Sequence, residues 1–132
     1  MKNTIVIHEK RNNFLEIHFA NPLFDLVVYH FADLMLKGYK GGYWNFFEGE
    51  NDVAFIALSG ASNVTLKNIF SGEEIEVDNV LAGMILTSFA LLHQIEKDGS
   101  NGYICKHSLL NDAIAQLCSE TGRMDVWMTL MD

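Results

Sequence analysis

Proline, cysteine, basic residues and long apolar runs are all scarce in this chain, and each shortage excludes something. With one Pro and ten Gly in 132 residues, neither a collagen-like repeat nor a Pro-rich disordered chain fits. Only two cysteines occur, Cys105 and Cys118, with no Cys-x-x-Cys pair, so a disulfide framework or a zinc ribbon is not the expectation. Lys and Arg number 9 against 17 Asp and Glu, a formal charge of −8. Direct nucleic-acid binding is therefore not expected, because it needs cations gathered on one face to neutralise phosphates. No stretch approaches the roughly 20 apolar residues that span a bilayer. The longest candidate, Val80 to Leu92, is broken by Gly83, Thr87 and Ser88 and reads as a buried helix. The start is apolar only over Ile5-Val6-Ile7 before His8 and Glu9, short of the 7–15 residues of a secretory signal, so the expected location is the cytoplasm.

What is present is average soluble composition, 49% hydrophobic and 20% charged. Residues 1–132 are read as a single domain, since two halves would each be too small to bury a good core. Thr4 to His8 and Asn13 to Phe19 carry β-branched and aromatic residues and read as short strands. Asn21-Pro22 opens a helix, with Asn as N-cap and Pro where its missing N–H costs nothing. That helix runs from Leu23 to Lys37, with Gly38 as its left-handed end and His30 expected in the core beside Leu23, Val27 and Leu34. Tyr43–Phe47, Val53–Leu58, Val64–Phe70 and Ile75–Val77 form four runs joined by short polar connections, which predicts an antiparallel meander. Asp78 caps a second helix, Asn79 to Glu96, which is apolar nearly all round and therefore central. A third helix spans about Ile104 to Glu120, and Met124 to Met131 adds a helical turn or two. The fold class is α+β: a meander of about four strands packed with three main helices.

Chemistry-bearing patterns are sparse. The histidines at 8, 18, 30, 93 and 107 fall on different elements, and no HExxH occurs, so no metal and no cofactor are expected. Cys118 lies on an apolar helical stripe, where a thiol is inert. Cys105, near a helix start and beside His107, is the less implausible nucleophile. The acids Glu73, Glu74, Glu76 and Asp78 read as a solvated strand edge plus a helix cap. Ser59-Gly60-Ala61-Ser62 reads as a turn, because it lacks the lysine of a phosphate loop. The most unusual segment is Gly38-Tyr39-Lys40-Gly41-Gly42-Tyr43-Trp44-Asn45-Phe46-Phe47. Its glycines admit backbone angles closed to other residues, and its aromatics suit either a core wall or a partner contact.

That segment, with the strand Val53–Ala57 after it, resembles the ArdB/KlcA family of antirestriction proteins, whose pattern carries a helix running into Tyr-Asn-Gly-Gly-Tyr-Trp-x-Phe. A second block, Gly72-Glu73-Glu74-Ile75-Glu76-Val77-Asp78 leading into Asn79–Ile85 and Phe89-Ala90-Leu91, resembles the family's acidic turn and buried helix. Leu109 to Ser119 and Leu130-Met131-Asp132 resemble its late helix and closing residues, so the likeness covers about residues 13 to 132. Departures are Glu16 where the family has Pro, Lys40 for the usual Asn, and Met131 for a smaller residue.

The resemblance implies a non-enzymatic protein that interferes, directly or indirectly, with a protein component of a type I restriction endonuclease, protecting incoming plasmid or phage DNA. DNA mimicry fits poorly, since a decoy must match one negative charge per about 1.7 Å while nine bases here offset many of the acids. Partner-binding candidates at positions matching the family are Tyr43, Trp44, Glu48, Asp78 and Asp132, and the structural motif is Gly41, Gly42 and Gly83. Two alternatives stand beside this reading: inhibition of another defence system such as CRISPR, and a small cytosolic enzyme using Cys105 and His107.

Overall fold

The long apolar helix expected at the centre is there, and the rest of the chain is arranged around it. A computed structural model of the chain describes residues 4–5, 11–60 and 63–131. The strands are β1 (Thr4–Ile5), β2 (Trp44–Glu48), β3 (Ala54–Leu58), β4 (Asn63–Lys67) and β5 (Glu74–Asp78). The helices are α1 (Arg11–Phe19), α2 (Phe24–Met35), α3 (Asn79–Asp98), α4 (Asn101–Glu120) and α5 (Met124–Val126), the last continuing as a π turn over Trp127–Met131. The α+β class and the three main helices, α2, α3 and α4, are as expected. Of the expected first strand, only Thr4–Ile5 and no more of Thr4 to His8 lies within the described residues, as do only Ser59 and Gly60 of the Ser59–Ser62 turn.

The single meander is corrected to two antiparallel sheets, one ordered β1-β2-β3 and one of β4 and β5. The reason lies at the outer edge of β3. Gly49 N–H donates to the Val53 carbonyl and Ser59 N–H to the Tyr43 carbonyl, which sets the phase of the β2–β3 ladder. Ala54, Ile56 and Leu58 therefore turn their backbone polar groups away from β2. A further strand would normally pair there, but α3 occupies the edge instead. Thr87 Oγ1 accepts from Ile56 N–H at 3.2 Å and donates to the Ile56 carbonyl at 3.4 Å, while Asn79 Nδ2 donates to the Leu58 carbonyl at 2.7 Å. Gly83 makes this approach possible. A Cβ at that position would sit 2.5 Å from Ala57 Cα and from the Ile56 carbonyl oxygen. With the edge taken, β4 pairs with β5 alone, in the register Asn63↔Asp78 to Lys67↔Glu74. Every residue from Leu81 to Ser88 is buried, as expected of a helix enclosed on all sides.

The predicted strand over Asn13–Phe19 is a helix. Phe14, Leu15, His18 and Phe19 are buried while Glu16 and Ile17 face outward, a helical rather than an alternating spacing. Its aromatics join the core directly: Phe19 stacks on Phe24 with centroids 4.0 Å apart, and Phe14 meets Phe46 at 5.2 Å. The helix start at Asn21-Pro22 is displaced. Asn21 Oδ1 accepts from Leu23 N–H at 3.0 Å in a turn, and α2 begins only at Phe24. α2 ends at Met35, because Leu36 leaves in extended conformation to pair with Leu66, and Gly38 takes its positive φ of 74° in the turn that follows. His30 is exposed rather than in the core. The buried face of α2 is Phe24, Val28, Ala32 and Met35, spaced i, i+4, i+8 and i+11.

Asp78 caps α3 by accepting from Leu81 N–H at 2.9 Å, and Gly99 ends it at φ 69°. The third main helix starts three residues earlier than predicted, because Ser100 is its cap. Cys105 therefore lies in the second turn of α4, not at its start. Cys118 is fully buried, as read from the stripe.

The close contact at Gly83 separates two chemically identical substitutions. Gly83→Ala forces α3 off β3 and is expected to lower stability by about 3 kcal/mol, whereas Gly102→Ala, whose Cβ would meet nothing nearer than 4.0 Å, is neutral or stabilising by up to about 1 kcal/mol. Urea unfolding of both variants measures the difference.

Candidate interaction site

The crossover from α2 into β2 is built from left-handed glycines. Gly41 and Gly42 hold φ of 91° and 149°, and a Cβ at Gly42 would lie 2.8 Å from Leu58 Cδ1. These angles reverse the chain within a few residues and deliver Tyr43 and Trp44 to the start of β2. The two aromatics then part company. Tyr43 is 56% exposed, and its carbonyl accepts from both the N–H and the hydroxyl of Ser59, each at 2.8 Å. Trp44 is 3% exposed. Its indole N–H donates to the Tyr39 hydroxyl at 3.2 Å, and its ring packs between Tyr29 and Tyr39 at centroid distances of 5.2 and 5.9 Å. Of the two readings given by the sequence, core wall or partner anchor, the geometry of Trp44 is that of a core wall. Between this crossover and β4 lies an open cleft of about 340 Å³, walled by Leu36, Tyr39, Leu58 and Val64 and edged by Lys37 and Lys40.

Glu48, at the far end of β2, is part of a network that the sequence does not reveal. The half-exposed Glu48 carboxylate lies 2.8 Å from Nε2 of His18, which is itself buried. On the other side of the ring, Lys106 Nζ is 2.9 Å from His18 Nδ1 and 2.9 Å from the Asp52 carbonyl oxygen. An ammonium can only donate, so Nδ1 accepts and the ring proton sits on Nε2, donated to Glu48. Burial pushes the Lys106 ammonium below its usual range, opposed by the charges of Asp52, Cys105 and Glu48. The network ties α1, the end of β2, the turn Glu50–Asp52 and α4 together. His18 and Lys106 stand 88 positions apart, so no spacing pattern could have joined them. A lone lysine among apolar α4 residues was the nearest signal.

Asp78 is exposed at the junction of β5 and α3, where it makes the cap described above, and Glu73, Glu74 and Glu76 are exposed beside it. Asp132 lies outside the described residues. These candidates are not gathered at one point: Tyr43 stands at the glycine corner, Glu48 at the opposite end of β2, and Asp78 on the second sheet.

The pair Cys105 and His107 is not assembled into a reactive unit. Two residues apart on α4, their side chains point about 200° apart. Cys105 is exposed, whereas His107 turns toward Asn111, whose amide donates to its Nε2 at 3.4 Å, and Asn111 Oδ1 accepts from the buried Ser88 hydroxyl. Burial holds the His107 imidazolium below the usual histidine range and pushes the Cys118 thiol up. Among the described residues, no three His, Cys, Asp or Glu side chains are grouped to hold a metal, and no helix is long and apolar enough to cross a membrane.

Comparison with known proteins adds a family and a fold. A family model described as antirestriction protein matches residues 37–119, from the glycine corner to the end of α4. A solved structure of the KlcA and ArdB proteins, described as showing a novel fold and antirestriction activity against type I DNA restriction systems in vivo but not in vitro, is similar with a TM-score of 0.72. It is 22% identical, over 83% of this chain and 82% of that one. No curated protein matches the chain.

Two measurements follow from the geometry. Trp44→Ala removes a buried ring and is expected to cost about 3–5 kcal/mol, while Tyr43→Ala, already largely in water, costs about 1 kcal/mol or less; denaturant midpoints give both values. His107 has its pKa depressed on folding, so the unfolded chain takes up a proton more readily as the medium becomes acidic. Its contribution is complete above the usual histidine range near pH 6.5 and is lost as pH falls through the lower folded value. His107→Gln is expected to flatten the acid side of the stability–pH curve as pH falls below the usual histidine range.

Proposed function

The chain belongs to the antirestriction protein family, and on that footing we propose that it protects incoming plasmid or phage DNA from a host type I restriction endonuclease. The observation that carries this reading is the family match, which spans the glycine corner, both hairpins, α3 and nearly all of α4. The likeness in fold to KlcA and ArdB, proteins described as active against type I systems in vivo but not in vitro, supports it and favours an action that requires something the living cell supplies.

The protein acts by contact, in the cytoplasm, on a protein component of the restriction machinery. Several observations support contact rather than chemistry. The only exposed thiol, Cys105, has its neighbouring histidine aimed elsewhere, and the buried thiol of Cys118 is held protonated. DNA mimicry is disfavoured by shape as well as by composition. The acids of β5 occupy one short ribbon face, Glu74, Glu76 and Asp78, and do not extend as a paired phosphate track.

Plasmid transfer into otherwise identical hosts with and without a type I system tests this function. Expression of the protein is expected to raise transfer tenfold or more into the restricting host only, and Cys105→Ser is expected to protect as well as the wild type. Equal transfer with and without the protein contradicts the proposal. Protection that appears only against a different defence system contradicts its target.

A further inference from the structure

The network around Lys106 does not supply the partners that a charged lysine needs. An ammonium carries three N–H donors, and Lys106 Nζ finds two acceptors, Nδ1 of His18 and the carbonyl oxygen of Asp52, each at 2.9 Å. Both are uncharged. The Nε2 proton of His18 goes to the Glu48 carboxylate at 2.8 Å, so Nδ1 offers Lys106 the lone pair of a neutral ring. Among the described residues no carboxylate oxygen lies within 4.0 Å of Lys106 Nζ, whereas the exposed Lys37 sits 3.2 Å from Glu74.

A neutral amine fits the same place without a remainder. Its two N–H groups meet the two acceptors, and its lone pair is left unoccupied. The titratable groups that face Nζ come from four segments: His18 from α1, Glu48 from β2, Asp52 from the turn Glu50–Asp52, and Cys105 on α4 itself. Burial, the largest influence, drives the proton off, and the charges of Asp52, Cys105 and Glu48 oppose it. An exposed lysine near pH 7.5 keeps only about one amine in a thousand unprotonated. Lys106 is half-buried, shielded enough to give up its proton and open enough to be reached.

We propose that Lys106 is a site of acylation, its amine taking the acyl group of a thioester. Nζ attacks the thioester carbonyl carbon, the C–S bond breaks, and an amide forms as the thiolate leaves. The surplus amine proton passes to His18 Nδ1, whose ring Glu48 holds through Nε2, and from there to the departing sulfur. The donor is a thioester rather than an acyl phosphate, because the Asp52 and Glu48 carboxylates near the amine repel an anionic donor. The acylated nitrogen keeps one N–H, so one of the two hydrogen bonds of Lys106 is given up. This site is independent of the proposed antirestriction function.

The test treats the folded protein with S-phenyl thioacetate at a pH of about 7.5 and follows acetylation of each lysine by peptide mass mapping. Lys106 is expected to react at least about threefold faster than the more exposed Lys40 and Lys97, and unfolding in urea is expected to erase the difference. Asp52→Asn removes a charge that favours the ammonium, at a φ of 65° that Asn tolerates, and is expected to widen the difference. Acetyl phosphate is expected to show less preference for Lys106. Lys106 reacting no faster than Lys40 in the folded protein overturns the proposal, and so does a preference that survives in urea. A preference that vanishes in Cys105→Ser assigns the capture to the neighbouring thiol and overturns direct attack by the amine. Greater selectivity with acetyl phosphate overturns the thioester as donor.

Discussion

The arrangement of this protein depends on one helix lying close enough to a strand to take the place of the next strand. Along the outer edge of β3, α3 supplies Thr87 to the Ile56 amide and carbonyl and Asn79 to the Leu58 carbonyl, so polar groups that would cost about 1–3 kcal/mol each if buried unpaired are satisfied by side chains. The glycine at position 83 leaves the space for it. This also reduces the hazard of an open sheet edge, because a helix covers the middle of the β3 edge and satisfies both polar groups of Ile56.

The sealing of β3 shapes everything downstream. Because β4 cannot continue the first sheet, it pairs with β5 as a separate two-stranded ribbon. One face of that ribbon, Leu66 and Val77, is buried, and the other carries Glu74, Glu76 and Asp78. β5 then runs directly into α3 through the Asp78 cap, so the ribbon is fastened to the core at its base. Its tip is fastened a second time, through Asn68 to the C-terminal turn. The glycine corner serves the same plan from the other side, because reversal at Gly41 and Gly42 sets Trp44 into the core at the first position of β2 and leaves Tyr43 at the surface. Rigidity and exposed aromatic surface are thus produced together by the same few contacts.

The sequence made some of this legible and hid the rest for identifiable reasons. α3 was readable because Val80 to Leu92 is apolar on every face and flanked by a capping Asp and a terminating Gly, both local signals. The strands from β2 to β5 were readable from their apolar runs and polar connections. α1 was not, because Phe14, Ile17 and Phe19 favour extended structure by themselves, and only packing against Phe24 and Phe46 shows that a helical spacing buries them. The division into two sheets was hidden because it follows from a tertiary event, the docking of α3, that leaves no mark on the strands. His30 was misplaced because α2 is apolar on two sides, and periodicity alone did not say which side meets the core. Within the candidate site, the glycines and Trp44 announced themselves by composition, while the partnership of Glu48 with His18 and Lys106 joins distant segments.

The function proposed for this chain calls for surfaces held still by a core. The contact that most directly tests the core is the hydrogen bond from the Ile56 amide to Thr87, since an unsealed strand edge would leave that amide open to solvent. Native-state hydrogen exchange at Ile56 is predicted to proceed only through global unfolding, as slowly as the interior amides of α3 from Met84 to Leu91. Exchange at Ile56 at the rate of an exposed edge, with those α3 amides still protected, would contradict the account.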